Sequence, residues 1–340
     1  MTDLVQVAKL AGVSRATAAR AFSAPQMVRE ETRNRVLAAS EQLGFRPNHI
    51  ARQLRTRSSR TLGVLLPSLS NPVFAEQLQA MEHSAQARGY SLLIATSDYQ
   101  PQREAEIVEN MLRQRVDGLV LTVADADNNV MLASLQQEAI PLVLVHNAPQ
   151  QSQQVAISVD NRRAMRQATE TLLALGHRRI AMIAGPMLQS DRARLRYQGY
   201  CEAMASAGLP ALPVVEMPSH TCSDLAILRP LLDTARGLTA LLCTNDLLAI
   251  SVMGELLRAG YRVPQQISII GFDGIDIGRL IYPSLCSVVQ PLRQMGHRAI
   301  EHLLAQIGGQ TIPMPPPLAV ELRHGESIAP PAQPTFAQLF

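Results

Sequence analysis

With 340 residues and 47% hydrophobic content, the chain can bury a substantial core and divide into more than one domain. No apolar run approaches the roughly 20 residues of a membrane-spanning helix, and the first residues lack the apolar stretch of a secretory signal, so a cytoplasmic protein with no membrane association is expected. The formal net charge of +3 is unevenly spread: residues 1–60 hold 11 of the 31 Lys and Arg and 4 of the 28 Asp and Glu, a net of +7 that leaves −4 for the rest, so a polyanion is expected to bind at one end only.

In residues 3–22, DLVQVAKLAGVSRATAARAF, the apolar Leu4, Val7, Ala8 and Ala11 recur at helical spacing and give a first helix one buried stripe. Asp3 with Gln6 suits a capping box, Gly12 supplies the freedom of a corner, and Ser14 is placed to cap a second helix predicted from about Arg15 to Phe22. Such a helix-turn-helix lays its second helix in the major groove of DNA. Arg15, Ala16 and Arg20 are the candidates for base readout, since an arginine fork can donate twice to guanine, and Thr17 for the phosphate backbone. An ordinary helical hairpin with solvated arginines is the plain alternative. A third amphipathic helix is predicted from Glu30 to Leu43, with Val36, Ala39 and Leu43 inward and Gly44 ending it, which closes a headpiece. After Pro47, the run NHIARQLRTRSSR sets Leu54 among Arg52, Arg55, Arg57 and Arg60, an apolar residue that a linker seldom needs.

The segments AxxAGVSxxT, LGFRPN and NxxARxLR, in this order from the first residues, resemble the lactose-repressor and galactose-repressor family, and the similarity continues through nearly the whole chain. The resemblance implies that Asn48 to Arg55 folds as a hinge helix on operator DNA, with Asn48 and Arg52 positioning the backbone and Leu54 as a wedge in the minor groove. An apolar wedge of this kind unstacks one base step and kinks the duplex. Ala18 and Ala19 depart from the valine and serine usual in the family, and Asp3 from a threonine cap.

From Thr61 onward, the apolar runs LGVLLP, SLLIATS, DGLVLTV and IPLVLVH read as buried parallel strands, separated by amphipathic stretches near 74–88, 103–115 and 129–138. RIAMIAG, PVVEM, LTALLCTN and ISIIGFD form a second series. This alternation predicts an α/β core of two doubly wound parallel-sheet lobes behind the all-α headpiece. The family's body resembles a periplasmic sugar-binding protein, in which the chain crosses between lobes three times; the crossings are expected near Val159, Gln290 and Leu318. The implied division is a headpiece to residue 47, a hinge and linker over 48–60, a first lobe of about 61–159 and 291–318, a second of about 160–290 and 319–330, and a tail.

Ligands of open α/β sheets bind beyond the carboxyl ends of the strands. The polar residues there are Ser70, Asn71, Phe74, Asp98, Thr122 and His146 in the first series, and Arg196, Asn245 and Asp273 in the second, with Gln290 at a crossing. By resemblance, Arg196, Asn245 and Asp273 match the family's most regular effector contacts. Each residue has a plainer reading. Asp246 is expected to cap the helix it opens, Asn71 and Asp98 can simply fix turns, Arg196 can pair with a carboxylate, and Phe74 can be core or a platform under a sugar ring. A cationic or donor-rich His146 hints at a sugar acid.

Other chemistries find no support. GFDGIDIG has the wrong spacing for a dinucleotide site, no P-loop, HExxH or GxSxG is present, and DADNN at 125–129 lacks the glycine and glutamate of a calcium loop. Cys201, Cys222, Cys243 and Cys286 show no paired or metal-like spacing, so reduced, mostly buried thiols and no disulfide are expected. No cofactor and no metal are expected. His177 follows a helix-ending glycine and matches a structural marker of the family. PPAQPTFAQLF is too proline-rich and short for a tetramerisation helix, which favours a homodimer. The expected function is an operator-binding transcriptional regulator, usually a repressor in this family, controlled by a small sugar, sugar acid or sugar phosphate. A sugar-transport component or a sugar-metabolising enzyme is the alternative; the first lacks a reason for the basic head, and turnover of a bound sugar would favour the second.

Overall fold

The computed structural model describes residues 3–45, 58–151, 154–234, 237–310 and 313–332, and its chain falls into two compact units, Met1–Ser59 and Arg60–Phe340. In the first unit, helices α1 (Leu4–Leu10), α2 (Arg15–Ser23) and α3 (Glu30–Gln42) surround a small core of Val7, Ala8, Ala11, Ala18, Ala21, Val36 and Ala39. Each start has a local cause. The Asp3 side chain accepts from the Gln6 amide while the Gln6 side chain accepts from that of Asp3, Ser14 accepts from the Thr17 amide, and Glu30 and Glu31 occupy the positive end of α3. Gly12 closes the corner with a φ of 64°, where a side chain would be strained. Ala18 is fully buried in this core.

The second unit holds two sheets. The first runs through β1 (Thr61–Leu66), α4 (Pro72–Gln86), β2 (Ser91–Thr96), α5 (Pro101–Arg113), β3 (Gly118–Leu121), α6 (Val130–Gln137), β4 (Leu142–Val145) and β5 (Ala156–Ile157). The second follows with α7 (Asn161–Ala174), β6 (Ile180–Ala184), α8 (Asp191–Ser206), β7 (Val215–Glu216), α9 (Leu225–Thr234), β8 (Ala240–Cys243), α10 (Asp246–Arg258), β9 (Ser268–Asp273), α11 (Ile277–Leu280) and β10 (Cys286–Val289). Helix α12 (Leu292–Ile307) then packs on α4, β3 and β4 of the first sheet, and β11 (Glu321–Arg323) pairs antiparallel with β10 of the second. Between β5 and α7 the chain leaves the first sheet, and there Val159 forms an isolated parallel bridge with Leu318.

The strand orders are β2-β1-β3-β4-β5 and β11-β10-β9-β8-β6-β7. Apart from the β10–β11 pair, every ladder is parallel. Val64 stands between Ile94 and Val120 in the first sheet, and Leu242 between Met182 and Ile270 in the second. The central strands are aliphatic on both faces because helices cover both faces. In each sheet the order reverses beside its first strand, at β1/β3 and at β6/β8, and a ligand crevice is expected at such a switch point. Three strands were not among those expected from the sequence: β5, β10 and β11, of two, four and three residues.

Candidate functional site: an exposed helix and an interlobe cleft

In the first unit, Arg15, Ala16 and Arg20 are exposed on α2, and Thr17 is half-buried with its hydroxyl 2.9 Å from that of Ser14. The basic side chains are therefore open to solvent on the helix that the turn presents. Asn48, Arg52, Leu54 and Arg55 lie outside the described residues.

In the second unit, the loops beyond β1, β2, β4, β6, β7, β8, β9 and β10 meet around one cavity. Seven of the ten predicted ligand residues line it: Asn71, Phe74, His146, Arg196, Asn245, Asp273 and Gln290. The other three do not. Ser70 is exposed and pairs its hydroxyl with Ser68 at 2.8 Å. Asp98 forms an ion pair with Arg103. Thr122 is buried, and its hydroxyl donates to the Val145 carbonyl at 3.0 Å. Tyr99, Ser190, Arg192 and His220 line the cavity without having been singled out in the sequence.

Arg196 is the most constrained of these side chains. Its Nε donates to Asn161 Oδ1 at 2.8 Å, its Nη1 to the Thr244 carbonyl, and its guanidinium lies 3.5 Å from the centre of the Phe272 ring. Asp273 Oδ1 stands 3.8 Å from Nη1 and accepts from Gln290 Nε2 at 2.8 Å. Burial pushes the Asp273 carboxyl up to about 6, against the pull of Arg196, and burial brings Arg196 down to about 10. Arg196 thus faces both a carboxylate and the cavity.

Asp246 departs from expectation. The cap of α10 is Asn245, whose Oδ1 accepts from the Leu248 amide while its Nδ2 donates to the His220 carbonyl at 2.7 Å. Asp246 sits one residue inside, fully buried, accepting from the Ser287 hydroxyl and the Ile275 amide, and burial pushes it up to about 8. His146 also differs from expectation. Its ring is sealed against Gln77 and edge-on to Phe74, and burial, with Arg192 and Arg196 nearby, brings its pKa down to about 3. It is neutral, and the cations of the site are the two arginines. Cys222 is exposed, contrary to the expectation of mostly buried thiols, and all four cysteines are free.

Strain gathers at the same strand ends. Asp98, Tyr99, His146 and Asp273 have φ of 51°, 59°, 67° and 118°, values that non-glycine residues hold only where the surroundings fix them. The Tyr99 ring stacks on His220 at 4.0 Å, joining a loop of the first sheet to one of the second.

A seam of hydrogen bonds crosses beside the cavity. Asp191 Oδ2 accepts from Asn147 Nδ2 at 2.6 Å and from the Ala126 amide, while the Asp191 amide donates to the Ala124 carbonyl. Arg192 Nη1 donates to the Val123 carbonyl and Arg194 Nη2 to Asp125, at 2.8 and 2.7 Å. The loop at 124–126 thus holds the start of α8. Among the described residues, no cluster of His, Cys, Asp or Glu is placed to hold a metal ion, and no helix is long and apolar enough to cross a membrane.

Residues 3–48 match the bacterial regulatory proteins of the lacI family, and residues 169–328 match a periplasmic binding protein-like domain. The transcriptional regulator GntR of Escherichia coli K12 is 36% identical over 310 residues, 91% of this chain and 93% of that one. A crystal structure of the lac repressor dimer bound to operator and an anti-inducer superposes with a TM-score of 0.85 at 27% identity, over 96% of this chain and 99% of that one. The CelR–cellobiose complex follows at a TM-score of 0.69 and 29% identity, over 96% and 100%. A capped, cationic helix-turn-helix ahead of two doubly wound lobes, with this identity across nine-tenths of the chain, makes the protein a member of the lacI family of DNA-binding transcriptional regulators.

Proposed function

We propose that the chain acts in the cytoplasm as a homodimeric repressor whose grip on a palindromic operator is set by a small, sugar-like metabolite held between its two lobes. The observation that supports this most is the cleft itself: in the second unit a buried arginine, aspartate, asparagine and glutamine converge on one cavity, while the first unit carries an exposed basic helix. The lac repressor crystallised as an operator-bound dimer, and CelR with cellobiose, which favours the same division of labour here. The working division is a headpiece to residue 47, a hinge over 48–60 and an effector-binding, dimer-forming core beyond. The ligand is bound and released unchanged, so the protein is a receptor with no catalytic turnover. An effector acts only through its different affinity for the DNA-bound and free conformations.

In this reading, Arg15, Ala16 and Arg20 read base edges, Thr17, Asn48, Arg52 and Arg55 hold phosphates, and Leu54 enters the minor groove. Salt titration of operator binding tests the frame, because phosphate contacts release counterions and make affinity fall steeply with salt. Arg20→Ala should cost about 1–3 kcal/mol at one base position while leaving other positions as selective as before. Leu54→Ala should weaken specific more than nonspecific binding and reduce operator bending in a circular-permutation gel assay; an unaltered bend angle rules out the wedge.

A further inference from the structure

We propose that the ligand of this cleft is a small polyhydroxylated carboxylate, an aldonate or uronate, whose carboxylate is held by Arg192 with Arg196. The inference rests on reading the cleft as the effector site and adds the chemical class that it selects.

Arg192 and Arg196 lie one turn apart on α8 and both line the cavity, each side chain 7% exposed. Burying two guanidinium groups is costly unless their donors are answered. Arg192 uses only Nη1, toward the Val123 carbonyl and Asp191; its Nε and Nη2 have no acceptor among the described residues. Asp191, its carboxylate, is already held by Asn147 and Ala126. Asp273 lies 3.8 Å from Arg196, beyond hydrogen-bond length. A planar fork with open donors matches the two oxygens of a carboxylate.

The field at the rings of the wall has the same sign, whereas at Arg196 itself the Asp273 carboxylate is the strongest charge. After burial, the strongest charge acting on His146, His220 and Tyr99 is that of Arg192, so the cavity's own carboxylates do not cancel it at these rings. Helices α4, α8 and α10 begin at Asn71, Ser190 and Asn245, three caps that line the cavity, and bring the positive ends of their dipoles to it. The rest of the wall suits hydroxyls. Gln290 Oε1 is buried without a hydrogen-bond donor, and Asp273 offers acceptors beside it. The Asp273 carboxylate also opposes a second negative charge, which disfavours a phosphate dianion.

The test uses the full-length protein. Thermal shift and calorimetry would compare pentose- and hexose-derived aldonates and uronates with the matched alditols and aldoses, and with hexose 6-phosphates. The expected result is a melting-temperature rise with at least one acid and none with its neutral counterpart. Arg192→Met should weaken that acid about tenfold to a hundredfold, and Arg192→Lys, which keeps the cation, by less. Neutral sugars binding as well as acids, phosphates binding in their place, no acid binding at all, or full acid affinity in Arg192→Met would each overturn the assignment. An acid that binds but leaves operator affinity unchanged would instead overturn the regulatory reading and leave this one standing.

Discussion

Gly199→Ala is expected to destabilise the receptor body by about 2–3 kcal/mol and to weaken ligand binding with it, the overpacking of a close helix crossing. A Cβ at position 199 would stand 2.0 Å from the Arg162 carbonyl oxygen and 3.0 Å from the Arg166 amide, so the obstacle is the backbone of α7 and not a side chain that can swing away. The two helices must separate, and α8 is the helix that carries Arg192 and Arg196. A helix shifted at Gly199 carries both guanidinium groups off their acceptors. Gly254→Ala provides the control, because a Cβ there meets only the flexible end of Arg258 at 3.3 Å; in mid-helix, replacing glycine gains up to about 1 kcal/mol. Thermal melts should show Gly199→Ala lower by about 4–10 °C and Gly254→Ala at or above the parent. Equal melting of the two variants would mean that α7 and α8 do not cross this closely.

The same helix shows what the sequence could and could not convey. SDRARLRYQGY carries Arg196 by resemblance and by its place beyond a strand, and Arg192 stands one turn earlier in the same run, a spacing that points both side chains the same way. Tyr99 sat beside the candidate Asp98, and only the backbone turn at the strand end decides which of the two enters the cavity. His220 follows a two-residue strand and had no local signal at all. Thr122 follows β3 as the strand-end rule requires, yet its hydroxyl bonds to β4, a choice made by the pleat of the sheet. Long aliphatic runs announced β1, β6, β8 and β9, whereas β5, β10 and β11 exist because a neighbour pairs with them. Caps were legible wherever a single side chain reaches its own helix, as at Asp3 and Ser14. They failed at Asp246, where two adjacent residues compete and the tertiary partners Ser287 and Ile275 claim the second. The charge of His146 is likewise a product of enclosure, which no spacing records.

Arg196→Met should both remove the response to ligand and destabilise the body by about 3 kcal/mol, because it leaves Asp273 buried without its cation. The lost donors to Asn161 and Thr244 and the lost contact with Phe272 act in the same direction. The pH dependence separates these causes. Burial has raised Asp273 above its unfolded value to about 6, so the stability tied to its proton is complete below the unfolded pKa and is lost as pH rises through the folded one. Removing Arg196 takes away the chief influence that lowers Asp273 and moves the folded pKa further up. The penalty of the substitution is therefore smallest in acid and grows from about pH 6 upward, which urea melts at pH 5.5 and pH 8 can read. Asp273→Asn on the Arg196→Met background should recover part of the loss at pH 8 and little in acid, since asparagine keeps the acceptor for Gln290, tolerates positive φ and carries no charge. A penalty independent of pH, unrelieved by the second substitution, would place the cost in the lost hydrogen bonds alone and remove the Arg196–Asp273 pair from the energetics of the cleft.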